Sequence, residues 1–508
     1  MNNKETNKRI AKNTILLYLR MFITMGVGLF TSRIVLRALG VSDFGIYNVV
    51  GGIVVLFSFL NSAMSTATQR FLNFELGRND LKETSRVFSV SMTTHLLIAF
   101  ILLILGETIG LWFLNAEMNI PSDRIIAANW VYQFSIFTFC ANIIRVPYNA
   151  TIIAYERMNF YAYLSIIEVI LKLLIVYILL IYSFDKLIFY SLLIFVVTVL
   201  VSAIYQIYCS KVFETAKYHL FWDKILFQKI LSFSGWSMFG SLSSVGSQQG
   251  LNILLNIFGG VTVNAAVGIA NQVTTNLYAF ISNFQIAFNP QIVKLYAADE
   301  HERFMKLIFR SSKFSFYLML VLSIPVIICL NFILKIWLGP VPEYTAIFCK
   351  LIIIFLMIDA ISAPLWLSVQ ATGNIRNYQI IMSILIICNL PMDYLLLKFG
   401  YPFEFVWIVK IIINVITYIF RISYLKNKIE FPIIKYFKLV VFPAIVVTIL
   451  AFPIPYFINT HLSSWEGLII TTCSSIVITV ITVFFIGLDK REKTIAVIIF
   501  KDKINQLF

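Results

Sequence analysis

Arginine side chains inside an apolar segment are the most informative chemical feature of this sequence. The segment near residues 14–36 contains Arg20 and Arg33, and Arg37 follows Arg33 by four residues at the outer end of the segment. A cation in hydrocarbon requires a partner, a path to water or an anionic ligand. Guanidinium groups match the oxygens of phosphate and pyrophosphate. The pattern is consistent with an anion site, and two alternatives stay open: Arg20 extends to the membrane surface, or Arg33 is an interfacial anchor paired with Asp43.

Uncharged polar residues form a second pattern within the apolar segments. Near residues 231–256 they recur every three or four positions, which places them on one stripe of a helix. Polar groups are costly in lipid, so such a stripe turns inward, either to line a hydrated cavity or to hold helices together. Besides the three arginines, the predicted cavity residues are Asn61, Ser65, Ser237, Ser241, Ser244, Gln248, Asn252, Gln272, Asn276 and Asn283.

Two aspartates near the middle of apolar segments are candidates for ion coupling. Asp359 and Asp393 each lie far from a segment end. A carboxylate at this depth is a candidate site for a transported ion, whereas pairing with Lys350 or Lys410 would make it structural.

Three other polar residues within apolar segments are assigned structural roles. Glu168 and Lys172 stand four residues apart in the order that favours an internal salt bridge. His95, alone in its segment, is expected to be a packing residue.

These residues are positioned by fourteen apolar segments. Together the segments occupy almost all of the 508-residue chain. Hydrophobic residues make up 59% of it and the mean hydropathy is +0.86. About 20 apolar residues in a helix cross the roughly 30 Å hydrocarbon core. The fold class predicted is therefore an all-α polytopic membrane protein with about 14 transmembrane helices. The spans are placed near 14–36, 45–69, 89–113, 126–147, 160–182, 187–208, 231–256, 265–290, 314–334, 346–369, 379–397, 404–424, 438–457 and 466–487.

The distribution of charge between the spans predicts the orientation. Most of the 40 Lys and Arg residues fall on one side when the N-terminus is placed inside. Both termini are therefore predicted to be cytoplasmic. The net charge of +15 is explained by this bias and does not indicate nucleic-acid binding.

An internal repeat organises the chain. Three residues of the first half recur 217 residues later in the same spacing: Pro147, Ala154 and Tyr161 match Pro364, Ala371 and Tyr378. A repeat of six helices leaves the two halves parallel in the membrane. The predicted domains are an N-terminal lobe (1–208, helices 1–6), a cytoplasmic linker (209–230), a C-terminal lobe (231–425, helices 7–12) and an appended helix pair with a cytoplasmic tail (426–508).

Enzyme motifs are missing from the sequence. It contains neither a G-x-S-x-G elbow, nor a G-x-x-x-x-G-K-[ST] phosphate loop, nor an H-E-x-x-H pair. The six cysteines lie in or at the ends of spans without the spacing of metal ligands. Accordingly, no catalytic residue, metal site or cofactor is predicted.

Four short stretches carry a resemblance to a known family. They are Arg37–Tyr47, Asn256–Ala266, Asn289–Gln291 and Gln370–Asn374. In order and spacing they resemble bacterial polysaccharide transporters, the Wzx-type flippases of the multidrug/oligosaccharidyl-lipid/polysaccharide exporter superfamily. The resemblance covers nearly the whole chain.

The resemblance implies a flippase of the bacterial cytoplasmic (inner) membrane. Such a protein moves an undecaprenyl-pyrophosphate-linked oligosaccharide from the inner to the outer leaflet by alternating access, for export of O-antigen or capsule-type polysaccharide. It implies that Arg20 and Arg33 bind the pyrophosphate and that the lipid tail follows a groove near the last two helices. Related lipid-precursor flippases also carry arginines on the second and eighth helices, where this chain has Asn and Gln.

The expected partners and the alternatives follow from this resemblance. The partners are the polyprenyl-pyrophosphate-linked glycan, membrane lipids and the polysaccharide polymerase machinery, with the oligomeric state left open. One alternative is an ion-coupled multidrug exporter of the same superfamily. The other is a membrane-embedded polysaccharide polymerase or ligase, which would be expected to have a large outer loop.

Overall fold

The computed structural model describes the backbone of residues 3–494 except 56–57, 117, 119, 182–184, 463–464 and 491. Within the helices, the side chains of residues 3–11, 29, 32–33, 36, 41, 48–49, 52–55, 58–59 and 261 lie outside the description. The predicted site residue Arg33 is one of these.

The described residues form helices and connecting turns, with no strand among them. Helical segments that continue through a π turn or a short break are numbered here as one helix. The helices are α1 (Asn3–Val55), α2 (Ser58–Gly77), α3 (Leu81–Ala116), α4 (Ile125–Ala154), α5 (Met158–Ile181), α6 (Lys186–Val212), α7 (Lys224–Ala297), α8 (His301–Leu338), α9 (Thr345–Ala371), α10 (Arg376–Lys398), α11 (Glu404–Ile429), α12 (Ile433–His461) and α13 (Trp465–Gly487).

Ten of these helices, α3–α6 and α8–α13, are long and apolar enough to cross a membrane. The remaining four predicted spans correspond to α1, α2 and α7. Both α1 and α7 contain a glycine with non-helical backbone, Gly40 and Gly260, which divides each of them into two arms. The second arm of α1, together with α2, occupies the position of the second span. The all-α polytopic fold class with about fourteen helices is thus confirmed.

The backbone supports the internal repeat more directly than the sequence does. Gly40 and Gly260 stand 220 residues apart and have φ of 79° and 67°. Asn79 and Asp299, also 220 apart, follow the ends of α2 and α7 and have φ of 57° and 56°. Non-glycine residues seldom adopt this left-handed conformation, so its recurrence at equivalent positions indicates two copies of one architecture.

The chain forms two compact units, and each unit is assembled from segments that are distant in the sequence. Unit 1 comprises Met1–Leu242, Ile286–Glu300 and Gln370–Gln379, and unit 2 comprises Ser243–Gln285, His301–Val369 and Ile380–Phe508. The apolar core of unit 1 includes Val131 and Leu187, and that of unit 2 is built around Phe348 and Trp407. The lobe boundaries expected from sequence stay a prediction.

Helix α13 shows how the fold suits lipid. Its hydroxyl side chains Thr471, Ser475 and Thr479 are fully buried, whereas Ile469 is 60% and Phe485 66% exposed. Thr479 Oγ1 donates a hydrogen bond to the Ser475 carbonyl oxygen at 2.6 Å, which satisfies it within the helix. Soluble helices bury the opposite face, so this arrangement places the apolar face of α13 toward hydrocarbon.

Candidate functional site

A cluster with excess positive charge lies where α1, α4 and α5 meet in unit 1. The Arg20 guanidinium of α1 stands over the Tyr161 ring of α5, 4.6 Å from the ring centroid. Glu168 of α5 accepts hydrogen bonds from Lys172 at 2.7 Å and from Arg145 of α4 at 3.2 Å. The predicted Glu168–Lys172 bridge is confirmed, and a second cation joins it.

Arg145 is a member of this cluster that sequence reasoning missed. It lies at the boundary between the fourth predicted span and the following loop, where it is naturally counted as a loop charge. In the structure α4 continues to Ala154, so Arg145 lies within the helix and stands 5.5 Å from the Tyr205 ring centroid. Its position two residues before Pro147, inside a continuing apolar pattern, was the available signal.

The charges of this unit 1 cluster do not balance. Arg145 and Lys172 are two cations that share one carboxylate, Glu168, so these three side chains carry a net positive charge next to Arg20. Side-chain exposure of 21% for Arg145 and 37% for Lys172 leaves both within reach of a ligand. A cluster of this composition can attract an anion and donate several hydrogen bonds to it.

The region of α1 around the bend at Gly40 has a different arrangement from the one considered in the sequence. Arg37 is exposed. Asp43 accepts hydrogen bonds from Arg124 at 2.9 and 2.5 Å, and Arg124 also bonds to Asp185 at 2.6 Å. The hydrogen bond to Asp185 raises the pKa of Arg124, and Asp43 adds to that shift. The Asp43 carboxylate therefore has a cationic partner in Arg124. The alternative pairing of Arg33 with Asp43 concerns a side chain outside the described residues.

A series of hydrogen-bonded polar side chains in unit 2 connects the two arms of α7 with α11. The Lys410 ammonium group donates to Gln248 Oε1 at 2.7 Å, and Gln248 Nε2 donates to Asn271 Oδ1 at 3.5 Å. The same ammonium group lies 4.9 Å from the Trp407 ring centroid and 5.2 Å from that of Phe355. Gln248 was a predicted cavity residue, while Lys410 was considered only as a partner for an aspartate.

Asp393 of α10 is 1% exposed and lies close to these polar side chains. Its Oδ1 atom has no hydrogen-bond partner within the described part of the protein, and Lys410 is the cation whose charge acts on it. Asp359 of α9 is under the influence of Arg421, which donates to the Ser362 carbonyl and hydroxyl oxygens at 3.0 and 2.5 Å. Lys410 is thus the relevant cation for Asp393, and Arg421, not Lys350 or Lys410, for Asp359. Their role in ion coupling stays a prediction.

The other predicted cavity residues are dispersed along α2 and α7. Asn252 donates to Gln249 at 2.9 Å beside a cavity of about 370 Å³ that Asn256 and Asn264 also line. Asn283 is buried and donates to the Ala279 carbonyl oxygen at 2.7 Å. The remaining residues range from buried to exposed: Ser237 is buried, Asn61, Ser65, Ser241 and Asn276 are half-buried, and Ser244 and Gln272 are exposed.

His95 of α3 lies in the protein interior. His95 is fully buried, with Nδ1 2.7 Å from the Ser91 carbonyl oxygen, so the predicted packing role is confirmed. Among the described residues, no group of three His, Cys, Asp or Glu side chains is placed to hold a metal ion.

Comparison with known proteins identifies the family. The family model for polysaccharide biosynthesis proteins matches residues 10–295, and the MatE family model matches residues 230–395. No curated protein sequence matches the chain.

Solved structures share the fold at low sequence identity. A MATE structure in the straight conformation is 16% identical, with a TM-score of 0.70 over 84% of this chain and 96% of that chain. An outward-facing multidrug resistance MATE transporter of the MOP superfamily is 15% identical, with a TM-score of 0.70 over 83% and 96%. A MOP superfamily transporter from Pyrococcus furiosus, described by the reverse polarity of its binding pocket, is 15% identical, with a TM-score of 0.68 over 83% and 96%.

The first family model covers more than half of the sequence. Nearly the whole length of each of these solved structures matches this fold. The chain therefore belongs to the polysaccharide biosynthesis protein family and is a multi-pass membrane transporter of the multidrug/oligosaccharidyl-lipid/polysaccharide exporter superfamily.

Proposed function

We propose that this transporter is a flippase that moves an undecaprenyl-pyrophosphate-linked oligosaccharide from the inner to the outer leaflet of a bacterial cytoplasmic membrane. The observation that carries the proposal is the unit 1 cluster, in which Arg145 and Lys172 share the single carboxylate of Glu168 next to Arg20, in a member of a polysaccharide family. Pyrophosphate is the anionic part of the cargo, and guanidinium groups match its oxygens.

The polar stripe along α7 supports passage of the glycan. Sugar hydroxyls need continuous hydrogen-bonding partners, whereas a polyprenyl tail is stable in lipid. Ser237, Gln248 and Asn252 offer hydroxyl and amide groups that donate and accept without fixed charge. Such groups suit a range of sugars, so the particular glycan is not specified by them.

Outward transport in this proposal requires no nucleotide hydrolysis. An inside-negative potential favours outward movement of an anion by about 2.3 kcal/mol per charge per 100 mV. Both termini would be cytoplasmic, and the polymerase that consumes the glycan would be a partner on the outer side. Asp359 and Asp393 are candidates for coupling to protons or sodium.

An ion-coupled multidrug exporter is the second candidate. The MATE neighbours favour it by fold, and the buried Asp393 offers a carboxylate for ion coupling. An organic cation would be repelled by the excess positive charge of the unit 1 cluster. The description of the Pyrococcus furiosus transporter connects pocket polarity with function, and the same criterion applied here favours an anionic cargo.

Binding measurements on the purified protein in nanodiscs test the proposal. Undecaprenyl-pyrophosphate oligosaccharide is compared with the same glycan on undecaprenol, which lacks the pyrophosphate. We expect wild type to prefer the pyrophosphate lipid by about tenfold or more, and Arg20→Gln to lose most of that preference. Arg78→Gln, at a surface position, is the matched control and should bind as wild type. Equal affinity of wild type for both lipids would overturn the proposal.

A further inference from the structure

A cavity of about 640 Å³ in unit 1 lies where three parts of the chain meet: the end of α2, the start of α7 and the turn between α9 and α10. Three cations, Arg70, Lys229 and Arg376, line it, and its lining contains no carboxylate. Neither Lys229 nor Arg376 forms an ion pair within the described residues. Hydrogen-bonding side chains in the same lining are Gln228, Ser232, Thr372 and Asn374.

Arg70 forms the floor of this cavity and is 8% exposed. Its guanidinium group stands 4.7 Å from the Phe71 ring centroid and 4.6 Å from that of Phe74, and Nη2 donates to the Ala371 carbonyl oxygen at 3.0 Å. Aromatic faces and a carbonyl oxygen stabilise the charge without neutralising it. The buried Nε atom has no hydrogen-bond partner among the described residues. Glu75 is the carboxylate whose charge acts on Arg70, and no ion pair joins the two among the described residues. Arg70 thus has no carboxylate in direct contact and keeps an Nε donor without a partner.

Gly373 allows the turn to approach this guanidinium group. Its φ is +78°, and a Cβ atom built at this position would collide with the Arg70 side chain. The turn that leads to Arg376 at the start of α10 is therefore held against Arg70, and the Arg376 guanidinium group stacks 5.3 Å from the Trp236 ring centroid. Arg376 and Lys229 are both exposed at the rim, so they can close on a ligand.

The surroundings of the cavity are those of a membrane interface. The segment that leads into α7 exposes apolar side chains, with Leu220 at 89%, Trp222 at 54% and Ile225 at 67%. Amphipathic aromatic residues beside Lys and Arg are typical of the level of the lipid headgroups. Ile225 also lines the cavity, which gives the site an apolar side next to its cationic side.

We propose that this cavity binds the phosphate of an anionic lipid headgroup, on the face of the membrane predicted to be cytoplasmic. A phosphate group would receive hydrogen bonds from Arg70, Lys229 and Arg376, while the acyl chains follow the exposed apolar residues at the start of α7. The site is separate from the unit 1 cluster around Arg20 and does not depend on which cargo is transported. A bound lipid would hold together the helix end, the helix start and the turn that form the cavity.

Native mass spectrometry and thermal unfolding of the full-length protein test this assignment. The probes are dihexanoyl phosphatidylglycerol, dihexanoyl phosphatidylcholine and inorganic pyrophosphate. The test variant is Lys229→Gln/Arg376→Gln, whose side chains are exposed and should not affect folding. The matched control is Lys426→Gln/Lys428→Gln, two exposed cations of α11 in unit 2.

We expect phosphatidylglycerol to bind wild type and the control with similar affinity, and the test variant at least about fivefold more weakly, because two charge contacts are lost. Phosphatidylcholine should bind weakly to all three proteins. Equal binding of phosphatidylglycerol to the test variant and wild type would overturn the site. If pyrophosphate competes at the same concentration as phosphatidylglycerol, the ligand is a soluble phosphate and the lipid assignment is wrong.

Discussion

At the residue scale, charged side chains within helices form two interacting groups. Glu168 is the shared partner of Arg145 and Lys172, and Lys410 is the cation next to the buried Asp393. Removing one member of a partly buried group leaves another charge without compensation, which costs more than the lost contact. The two groups therefore give predictions that distinguish the partners within each.

Glu168→Gln should destabilise the protein more than Lys172→Gln does. The first substitution leaves two cations unpaired, whereas the second leaves Glu168 bound to Arg145. Because these side chains are partly exposed, we expect a difference of about 1 kcal/mol. Thermal unfolding in detergent measures it. Equal losses for the two variants would show that Glu168 is not a shared partner.

Lys410→Met should destabilise the protein more than the double variant Lys410→Met/Asp393→Asn. The single substitution leaves a carboxylate that is 1% exposed next to no cation, and the second substitution removes that charge. We expect a coupling free energy of about 1 kcal/mol or more in a double-mutant cycle. Additive effects of the two substitutions would contradict the interaction.

Prediction from sequence was partial at this scale. The bridge between Glu168 and Lys172 follows from their spacing of four residues. The participation of Arg145 and Lys410 depends on which helices pack together, and no local pattern encodes that. Polar stripes identify the helix face that avoids lipid, but Asn283 shows that such a residue can also donate a hydrogen bond within its own helix.

At the element scale, two glycines determine where the longest helices bend. Gly260 has φ of 67° and ψ of −164°, and Gly40 has φ of 79° and ψ of 169°. These conformations are nearly exclusive to glycine, because a Cβ atom collides with the backbone there. The bends recur at equivalent positions of the repeat and separate the first from the second helix in each half.

Gly260→Ala should destabilise the protein by about 1–3 kcal/mol, since alanine strains this backbone conformation. Gly246→Ala, earlier in the same helix α7, is the control. Neither glycine has an atom within 4 Å of where a Cβ would lie, so packing does not differ between them. At position 246, where the backbone is helical, alanine should be neutral or stabilising by up to about 1 kcal/mol. Chemical unfolding of both variants in detergent compares them, and a neutral Gly260→Ala would contradict the strain.

Helix positions were predicted well from the sequence and helix ends less so. Each apolar run has the length that a bilayer requires, and the spans lie within the observed helices except for 45–69 and 160–182, which include residues outside the described part of the chain. The ends extend further, as in α8, which begins at His301 instead of near residue 314. Charged residues such as Arg310 and Lys313 mark the membrane boundary in the sequence without ending the helix, because Arg and Lys favour helical backbone. Glu492 pairs with both.

At the scale of the whole molecule, the repeat and the family agree on a transporter with two related halves. The recurring Pro, Ala and Tyr residues predict the repeat, and the left-handed residues at matching positions demonstrate it in the backbone. The way in which parts of the second half, Ile286–Glu300 and Gln370–Gln379, pack into unit 1 could not be predicted, since it depends on contacts between distant segments.

The measurement that tests the central claim most directly is transport by the purified protein in liposomes with two cargoes in parallel. A fluorescent undecaprenyl-pyrophosphate oligosaccharide and an organic cation are each followed with and without an imposed membrane potential or ion gradient. We predict that wild type and Arg78→Gln move the glycolipid between leaflets and that Arg20→Gln does so at least about tenfold more slowly. Export of the organic cation against a sodium or proton gradient, with the glycolipid left in place, would contradict the flippase and establish the multidrug exporter.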